Sequence, residues 1–341
     1  MEQYNICLIG FGNVGKAFAN LVERKAMDLS SMGFQLNIAA IATGSHGKAF
    51  NPDGIDAESA LTAYAKNVFP SLSTEQTEND VAAFIRASRA QFLVETSPVN
   101  YEDGQPAIMH IETAINCGMH AVSANKGPVV HAFQKLNKIA NKQGRKFLFE
   151  SAVMDGAPVF SVFREALPAA KVLGFEGILN SCTNLLIEQM EAGRSFEEAV
   201  AFAQSIGIAE TDPSGDIDGW DAAIKVAALT TVLMQHAMKP NEVNRKGIRE
   251  ITPDDIQNAS NQGKRWKLVC RAEEKNGVIT TSVQPEMVEA ASPLYSVNGT
   301  SSLVIFKTDV LPGLGILESN PGPETTAYGL LADILNILKT G

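Results

Sequence analysis

The run Gly10-Phe11-Gly12-Asn13-Val14-Gly15 constrains this chain more than any other feature. It follows directly on the apolar stretch at residues 5–9 and opens a helical pattern. In that setting each glycine has a physical task. Gly10 permits a tight turn, Gly12 lets a pyrophosphate approach the backbone, and Gly15 permits close helix–strand packing. The helix that follows offers free N–H groups and a positive dipole end to phosphates. The motif implies a dinucleotide site, with Asn13 and Val14 among its contacts.

The segments downstream agree with that fold. Strand signals lie at residues 5–9, 35–42, 91–95, 120–123 and 146–149, with helical patterns between them. Several are near-continuous apolar runs, as expected of strands buried on both faces of a parallel sheet. Pro106 stands near one helix start, and Gly118 and Gly144 lie just past two helix ends. Residues 45–59 read as a surface loop. Alternating strands and helices imply a Rossmann-type, doubly wound α/β sheet with right-handed crossovers.

From about residue 150 the pattern changes to α+β. Ser195-Phe196-Glu197-Glu198 is a capping box. Asn276-Gly277, between two strand-like runs, is a hairpin turn. Residues 222–238 read as a buried helix and 324–338 as a final helix. The expected division is a dinucleotide domain of residues 1–132 completed by 312–341, and a substrate-binding and dimerisation domain of 133–311.

Composition narrows the partners. The 341 residues carry 28 Lys plus Arg against 38 Asp plus Glu, a net charge of −10. That argues against nucleic acid or an anionic membrane, which attract basic surfaces. No signal peptide is visible, and the most apolar stretch is interrupted by Lys225, Gln235 and His236. Cys7, Cys117, Cys182 and Cys270 are scattered, as expected of free buried thiols in a reducing cytoplasm.

The second strand should choose the dinucleotide. An NAD site usually places Asp or Glu at its end, to bind the ribose hydroxyls. Here it ends Ile41-Ala42-Thr43-Gly44-Ser45-His46-Gly47-Lys48, with no acid before Asp53. Thr43, Ser45, His46 and Lys48 are therefore the expected contacts, and Ser45, His46 and Lys48 can receive a 2′-phosphate. NADP is expected, with NAD as the alternative.

Two segments carry chemistry. In Asp218-Gly219-Trp220-Asp221-Ala222-Ala223-Ile224-Lys225, Asp218 suits a helix N-cap, and Asp221 and Lys225 are i,i+4 neighbours. The helix is apolar nearly all round, so it should be buried and the pair should face a cleft, not bulk water. Desolvation lowers a lysine pKa while a carboxylate holds the proton on. A lysine so poised suits proton transfer to an oxygen during hydride transfer at carbon. Ser123-Ala124-Asn125-Lys126 ends a strand beside the crevice where such sheets bind ligands, and Thr96-Ser97-Pro98 ends another.

Together these residues resemble the homoserine dehydrogenase family. The resemblance runs through Gly10–Gly15, Ala124-Asn125-Lys126, Glu150, Glu210-Thr211-Asp212-Pro213, Asp216-Ile217-Asp218-Gly219-Trp220-Asp221, Lys225, Val297-Asn298-Gly299 and Pro321-Gly322-Pro323-Glu324-Thr325-Thr326-Ala327. It covers nearly the whole chain and matches the family's catalytic portion without its C-terminal ACT regulatory domain. It implies interconversion of L-homoserine and L-aspartate 4-semialdehyde with NADP, in threonine and methionine biosynthesis. By that resemblance Lys225 would be the proton donor, with Lys126 near the substrate oxygen. Asp221 and Glu210 would orient the lysine and bind the substrate's amino group. Asp216, Thr183 and Cys182 would line the substrate pocket, and Thr96, Ser97, Lys126 and Gly322 would contact the cofactor. Backbone oxygens at Glu150, Val153, Asp155 and Ala157 would hold a monovalent cation, usually sodium. A homodimer joined through the second domain is also implied.

One departure bears on the substrate. The family often has Asn-Gly-Thr-Thr-Asn-Tyr where this chain has Asn180-Ser181-Cys182-Thr183-Asn184-Leu185. Losing a hydroxyl from a polar pocket can alter specificity strongly. The alternatives are an oxidoreductase for another small amino or hydroxy acid, and a non-catalytic NADP-binding redox sensor.

Overall fold

A computed structural model describes residues 1–340. The chain divides into two compact units. The first comprises residues 1–158 and the segment from Gly322 onward; the second is Val159–Pro321.

The first unit alternates as the sequence implies. Its elements are β1 (Glu2–Ile9), α1 (Asn13–Arg24), α2 (Ala26–Ser31), β2 (Phe34–Ala42), β3 (Lys48–Phe50), α3 (Ala57–Ala65), α4 (Val81–Ser88), β4 (Phe92–Glu95), α5 (Ala107–Asn116), β5 (His120–Ser123), α6 (Lys126–Lys142) and β6 (Phe147–Leu148). The sheet order is β3-β2-β1-β4-β5-β6. All neighbours are parallel except β2 and β3, which are antiparallel. This is the strand order of a dinucleotide-binding sheet, with its switch point between β1 and β4. Residues 45–59 are more than a loop. They contain β3, whose Ala49 and Phe50 are buried, and the start of α3.

Core residues of this unit include Leu8, Phe18, Ile41, Phe92 and Val122. Each fully buried side chain of this size contributes roughly 1.5–3 kcal/mol.

The second unit contains β7 (Val172–Ile178), α7 (Ser181–Glu191), α8 (Phe196–Ser205), α9 (Ser214–Ile217), α10 (Trp220–Leu233), β8 (Asn244–Arg245), α11 (Pro253–Asn261), β9 (Lys264–Lys275), β10 (Val278–Glu289), β11 (Ser302–Thr308) and β12 (Leu314–Glu318). Its sheet order is β12-β11-β7-β9-β10-β8, antiparallel except for the β8–β10 pair. The β9–β10 hairpin turns at Asn276-Gly277, and both residues have positive φ as a two-residue turn of this hand requires. The Ser195–Glu198 capping box opens α8, with both reciprocal bonds present. α10 is buried nearly all round, through Ala222, Ala223, Ile224, Val226, Ala227 and Leu229.

The last helix, α12 (Pro323–Thr340), returns to the first unit, where Leu330, Leu331 and Ile334 enter its core. The unit boundaries differ from those expected. A cut after 132 would pass through α6, and β6 still pairs with β5. A cut before 312 would detach β12 from β11.

Among the described residues no helix is long and apolar enough to cross a membrane. All four cysteines are free; Cys117 is exposed, contrary to the expectation that all would be buried.

Candidate active site

The first unit builds a cradle at the ends of β1 and β4. Gly10 has φ +95°, and a Cβ there would stand 2.6 Å from the Thr96 carbonyl. Thr96 is the reason the turn is so tight. Its N–H donates to the Ile9 carbonyl at 2.8 Å, and its hydroxyl reaches the carbonyls of Ile9 (3.1 Å) and Gly10 (3.0 Å). A Cβ on Gly15 would lie 2.5 Å from the Gly10 oxygen, so helix and turn touch there. Gly12 is the opposite case: a Cβ would meet nothing within 4 Å. Gly12 is also the N-cap of α1, without a side-chain cap, and Asn13 beside it is exposed. An open backbone at an uncapped helix N-terminus suits a pyrophosphate.

The next loop is held from below. Glu95 is fully buried at the end of β4 and accepts from the Ser97 N–H at 2.8 Å. Its other oxygen lies 2.7 Å from His110 Nδ1. Asn125 donates through Nδ2 to the carbonyls of Ser97 (3.0 Å) and Pro98 (3.1 Å), while its Oδ1 caps α6 at the Gly127 N–H. Lys126 is thus the first residue of a well-capped helix and is half-buried. Gly322 precedes α12, donating to the Thr325 hydroxyl, and a Cβ on it would meet nothing within 4 Å.

The loop after β2 differs from expectation. The Thr43 hydroxyl accepts from the His46 N–H at 2.8 Å and donates to the Gly47 carbonyl at 2.9 Å. Lys48 lies in β3, and its ammonium donates to the carbonyls of Glu78, at 3.1 Å, and Asn79. Both side chains are engaged in holding loops, because the chain turns back here as an edge strand. Ser45 is exposed, with its hydroxyl 2.8 Å from His46 Nδ1.

Glu150, Ser151 and Ala152 form a buried 3-10 turn after β6. The Glu150 N–H donates to Asp333 at 2.7 Å, the Ser151 hydroxyl to the Thr326 carbonyl at 2.7 Å, and the Thr326 hydroxyl to Asp155 at 2.5 Å. Val153 and Ala157, just downstream, are also buried. α12 therefore fastens the turn.

The second unit builds a polar cluster where α7 and α10 begin. Asn180 caps α7, its Oδ1 accepting from the N–H and the hydroxyl of Thr183, both at 2.8 Å. Its Nδ2 donates to Asp216 (2.6 Å) and to Asp221 (3.0 Å). Asp221 lies 3.1 Å from Lys225 Nζ, and Lys225 donates to the Leu179 carbonyl at 2.6 Å. The Lys225 and Asp221 side chains are only 12% and 14% exposed. Burial, then the neighbouring Asp221 charge, raise the Asp216 pKa. Burial and the two aspartates push the Cys182 thiol up as well, so it stays protonated. Thr183 is fully buried with its hydroxyl on Asn180. It positions Asn180 and does not face open space.

Asp216, Asp221, Lys225 and Cys182 are thus brought together, with Thr183 behind them. Glu210 is not. It is exposed, and its backbone carbonyl accepts from Gln204. Asp218 is not the N-cap of α10. It closes α9 and binds Arg249 at 3.0 Å, and Gly219, with φ +81°, makes the sharp turn between the helices. Asn180, Glu95 and His110 were not expected as site residues. The one local signal was Glu95, an acid ending an otherwise apolar strand.

The comparisons fall on both units. The homoserine dehydrogenase family profile matches residues 158–335, and the profile of its NAD-binding domain matches residues 10–150. The chain belongs to the homoserine dehydrogenase family. The NAD(+)-dependent homoserine dehydrogenase of Pseudomonas canavaninivorans is 34% identical over 99% of this chain and 97% of its own. The homoserine dehydrogenase of Methanocaldococcus jannaschii is 34% identical over 98% and 99%. The crystal structure of a homoserine dehydrogenase from Thiobacillus denitrificans superposes with a TM-score of 0.83 at 25% identity, over all of this chain and 74% of that one. Members of the family are oxidoreductases that act on a CH–OH group with a nicotinamide cofactor.

Proposed function

We propose that this chain is an NADP-preferring homoserine dehydrogenase that uses Lys225 for proton transfer. The observation that carries the reading is the Asn180–Asp216–Asp221–Lys225 cluster, which keeps a lysine and two carboxylates largely out of water. Oxidation of homoserine removes a hydride from the hydroxyl-bearing carbon and a proton from its oxygen. A nicotinamide dinucleotide held by its pyrophosphate at the Gly10–Gly15 turn would take up or supply the hydride. Lys225 exchanges the proton, which general acid–base catalysis makes worth about 10²–10⁴-fold. Asp221 holds the ammonium in place, and Asp216 and Asp221 offer negative charge to the substrate's amino group. Lys126, first residue of α6, would contact the cofactor.

Thr96, Ser97 and Gly322 would complete the cofactor site. Thr96 acts there through the glycine turn it locks. The expected cation, sodium, would be held by the backbone oxygens of Glu150, Val153, Asp155 and Ala157, since oxygen ligands suit a hard cation. The proposed assembly is a homodimer formed through the second unit, in the cytoplasm, serving threonine and methionine synthesis. A second reading, NAD as the working cofactor, is favoured by the NAD(+)-dependent relative.

The test is NADPH and NADH oxidation with aspartate 4-semialdehyde and with analogous aldehydes. Turnover of aspartate 4-semialdehyde above the others supports the reading. Turnover of another aldehyde alone replaces the substrate and traces to Cys182 and Leu185.

A further inference from the structure

A cationic group other than the expected Lys48 reaches the aromatic ring on which the loop after β2 stacks. Lys16 follows the last glycine of the phosphate turn and lies on α1. Its Nζ sits 3.8 Å over the Tyr64 ring. His46 stacks on the same ring, with centroids 3.9 Å apart and planes 22° apart. Tyr64 is itself packed against Phe11, 5.7 Å away, and Phe69, 6.4 Å away. Phe11 stands between the first two glycines of the turn and is buried. One aromatic cluster therefore joins the phosphate turn, Lys16 and His46.

We propose that Lys16, lying over Tyr64, binds the 2′-phosphate of NADP at the end of β2, and that His46, stacked on the same ring, shapes that site. The proposal deepens the NADP reading above and rests on it. The adenosine ribose of a dinucleotide lies at the end of the second strand of such a sheet. Here that strand ends at Ala42, whose carbonyl accepts from the Gly10 N–H at 2.9 Å, so phosphate turn and strand end are adjacent. Among the described residues no salt bridge involves Lys16, whose ammonium lies over the Tyr64 ring. A cation over a ring keeps its outward donors. His46 Nδ1 faces the Ser45 hydroxyl at 2.8 Å. When that hydroxyl donates, the ring proton resides on Nε2, a donor toward an anion. Lys48 is excluded by its own bonds to the carbonyls of Glu78 and Asn79.

The probes are 2′,5′-ADP and 5′-AMP, titrated calorimetrically into the wild-type protein and the variants Lys16→Ala, His46→Ala and Lys48→Ala, with melting curves to confirm folding. The expected result is 2′,5′-ADP binding at least tenfold tighter than 5′-AMP to wild type. Lys16→Ala removes that difference, His46→Ala shrinks it, and Lys48→Ala keeps most of it. Equal binding of the two probes to wild type overturns the proposal, as does a Lys16→Ala protein that keeps the difference. Loss of the difference in Lys48→Ala alone returns the phosphate to Lys48 and also overturns it. These outcomes do not depend on homoserine turnover. A protein that discriminates the probes yet fails to oxidise homoserine refutes the substrate reading and leaves this one standing.

Discussion

Lys225 Nζ lies 3.1 Å from Asp221 Oδ2, one turn away on α10, and both side chains are nearly buried. An exposed i,i+4 pair of this kind contributes only about 0.3–0.5 kcal/mol. Here the lysine also donates to the Leu179 carbonyl, and Asp221 also accepts from Asn180. Both charges are therefore satisfied without water, and either one left alone becomes costly.

Lys225→Ala is expected to lower kcat by about 10²–10⁴-fold while cofactor binding, read by fluorescence titration, stays nearly unchanged. Lys225→Arg should not rescue it, because arginine does not release its proton in this pH range. Asp221 would be left an unpaired carboxylate, so melting curves must accompany the kinetics. A folded Lys225→Ala protein turning over homoserine within threefold of wild type would reduce the pair to a helix-stabilising contact.

Asn180 joins four groups at once, and its removal should act on two measurements. Asn180→Ala removes the α7 cap, a loss of about 1 kcal/mol in urea unfolding. It also leaves Asp216 and Asp221 facing each other without a shared donor. The KM for homoserine should rise well beyond any change in cofactor affinity. An unchanged KM with lowered stability would make Asn180 a cap and nothing more.

Asn125→Ala should loosen the loop after β4. Two donated bonds are lost, at about 1 kcal/mol each, so cofactor affinity should fall roughly 30-fold if the loop must be ordered to bind. Asn125→Asp keeps the helix cap but loses both donors. It should weaken cofactor binding as much as alanine while retaining more stability. Equal cofactor affinity in all three proteins would show the loop order to be irrelevant to binding.

What was legible in the sequence was local. Gly10, Asn276-Gly277 and the Ser195–Glu198 box each announce a backbone state that few residues permit or that a neighbour three residues away completes. β3 escaped notice because Lys48-Ala49-Phe50 is too short to show a period. The unit boundary escaped because α6 and β6 continue the same alternation past residue 132. Asp221 and Lys225 share a helical face, so their pairing could be read from spacing. Asn180 could not, since Asp216 and Asp221 reach it from 36 and 41 residues away. The engagement of Lys48 is hidden for a related reason: its charge is visible in the sequence, but the carbonyls of Glu78 and Asn79 that hold it are not.

A buried lysine in the second unit makes stability depend on pH. Lys267 on β9 is fully buried and donates to the carbonyl of Val297 and, at 2.8 Å, to Asn184 Oδ1. Burial, then the nearby Arg265, lower its pKa to about 8, against the partial opposition of Glu191 and Glu188. An unfolded lysine titrates near 10.4. Between about pH 8 and 10.4 the unfolded chain therefore binds more protons than the folded one, and this residue makes stability rise with pH across that window. Below pH 8 the penalty is full and constant, on the order of 3 kcal/mol. Lys267→Met removes the titrating group, though it leaves the Asn184 and Val297 oxygens without their donor, so its absolute stability is uninformative. The difference in unfolding free energy between wild type and Lys267→Met is the quantity to follow, by urea titration at pH 7, 8, 9 and 10, because titrations common to both proteins cancel in it. Wild type should gain on the variant by about 2–3 kcal/mol between pH 7.5 and 10. A flat difference would mean that Lys267 keeps an ordinary pKa and that its bonds to Asn184 and Val297 offset its burial in full.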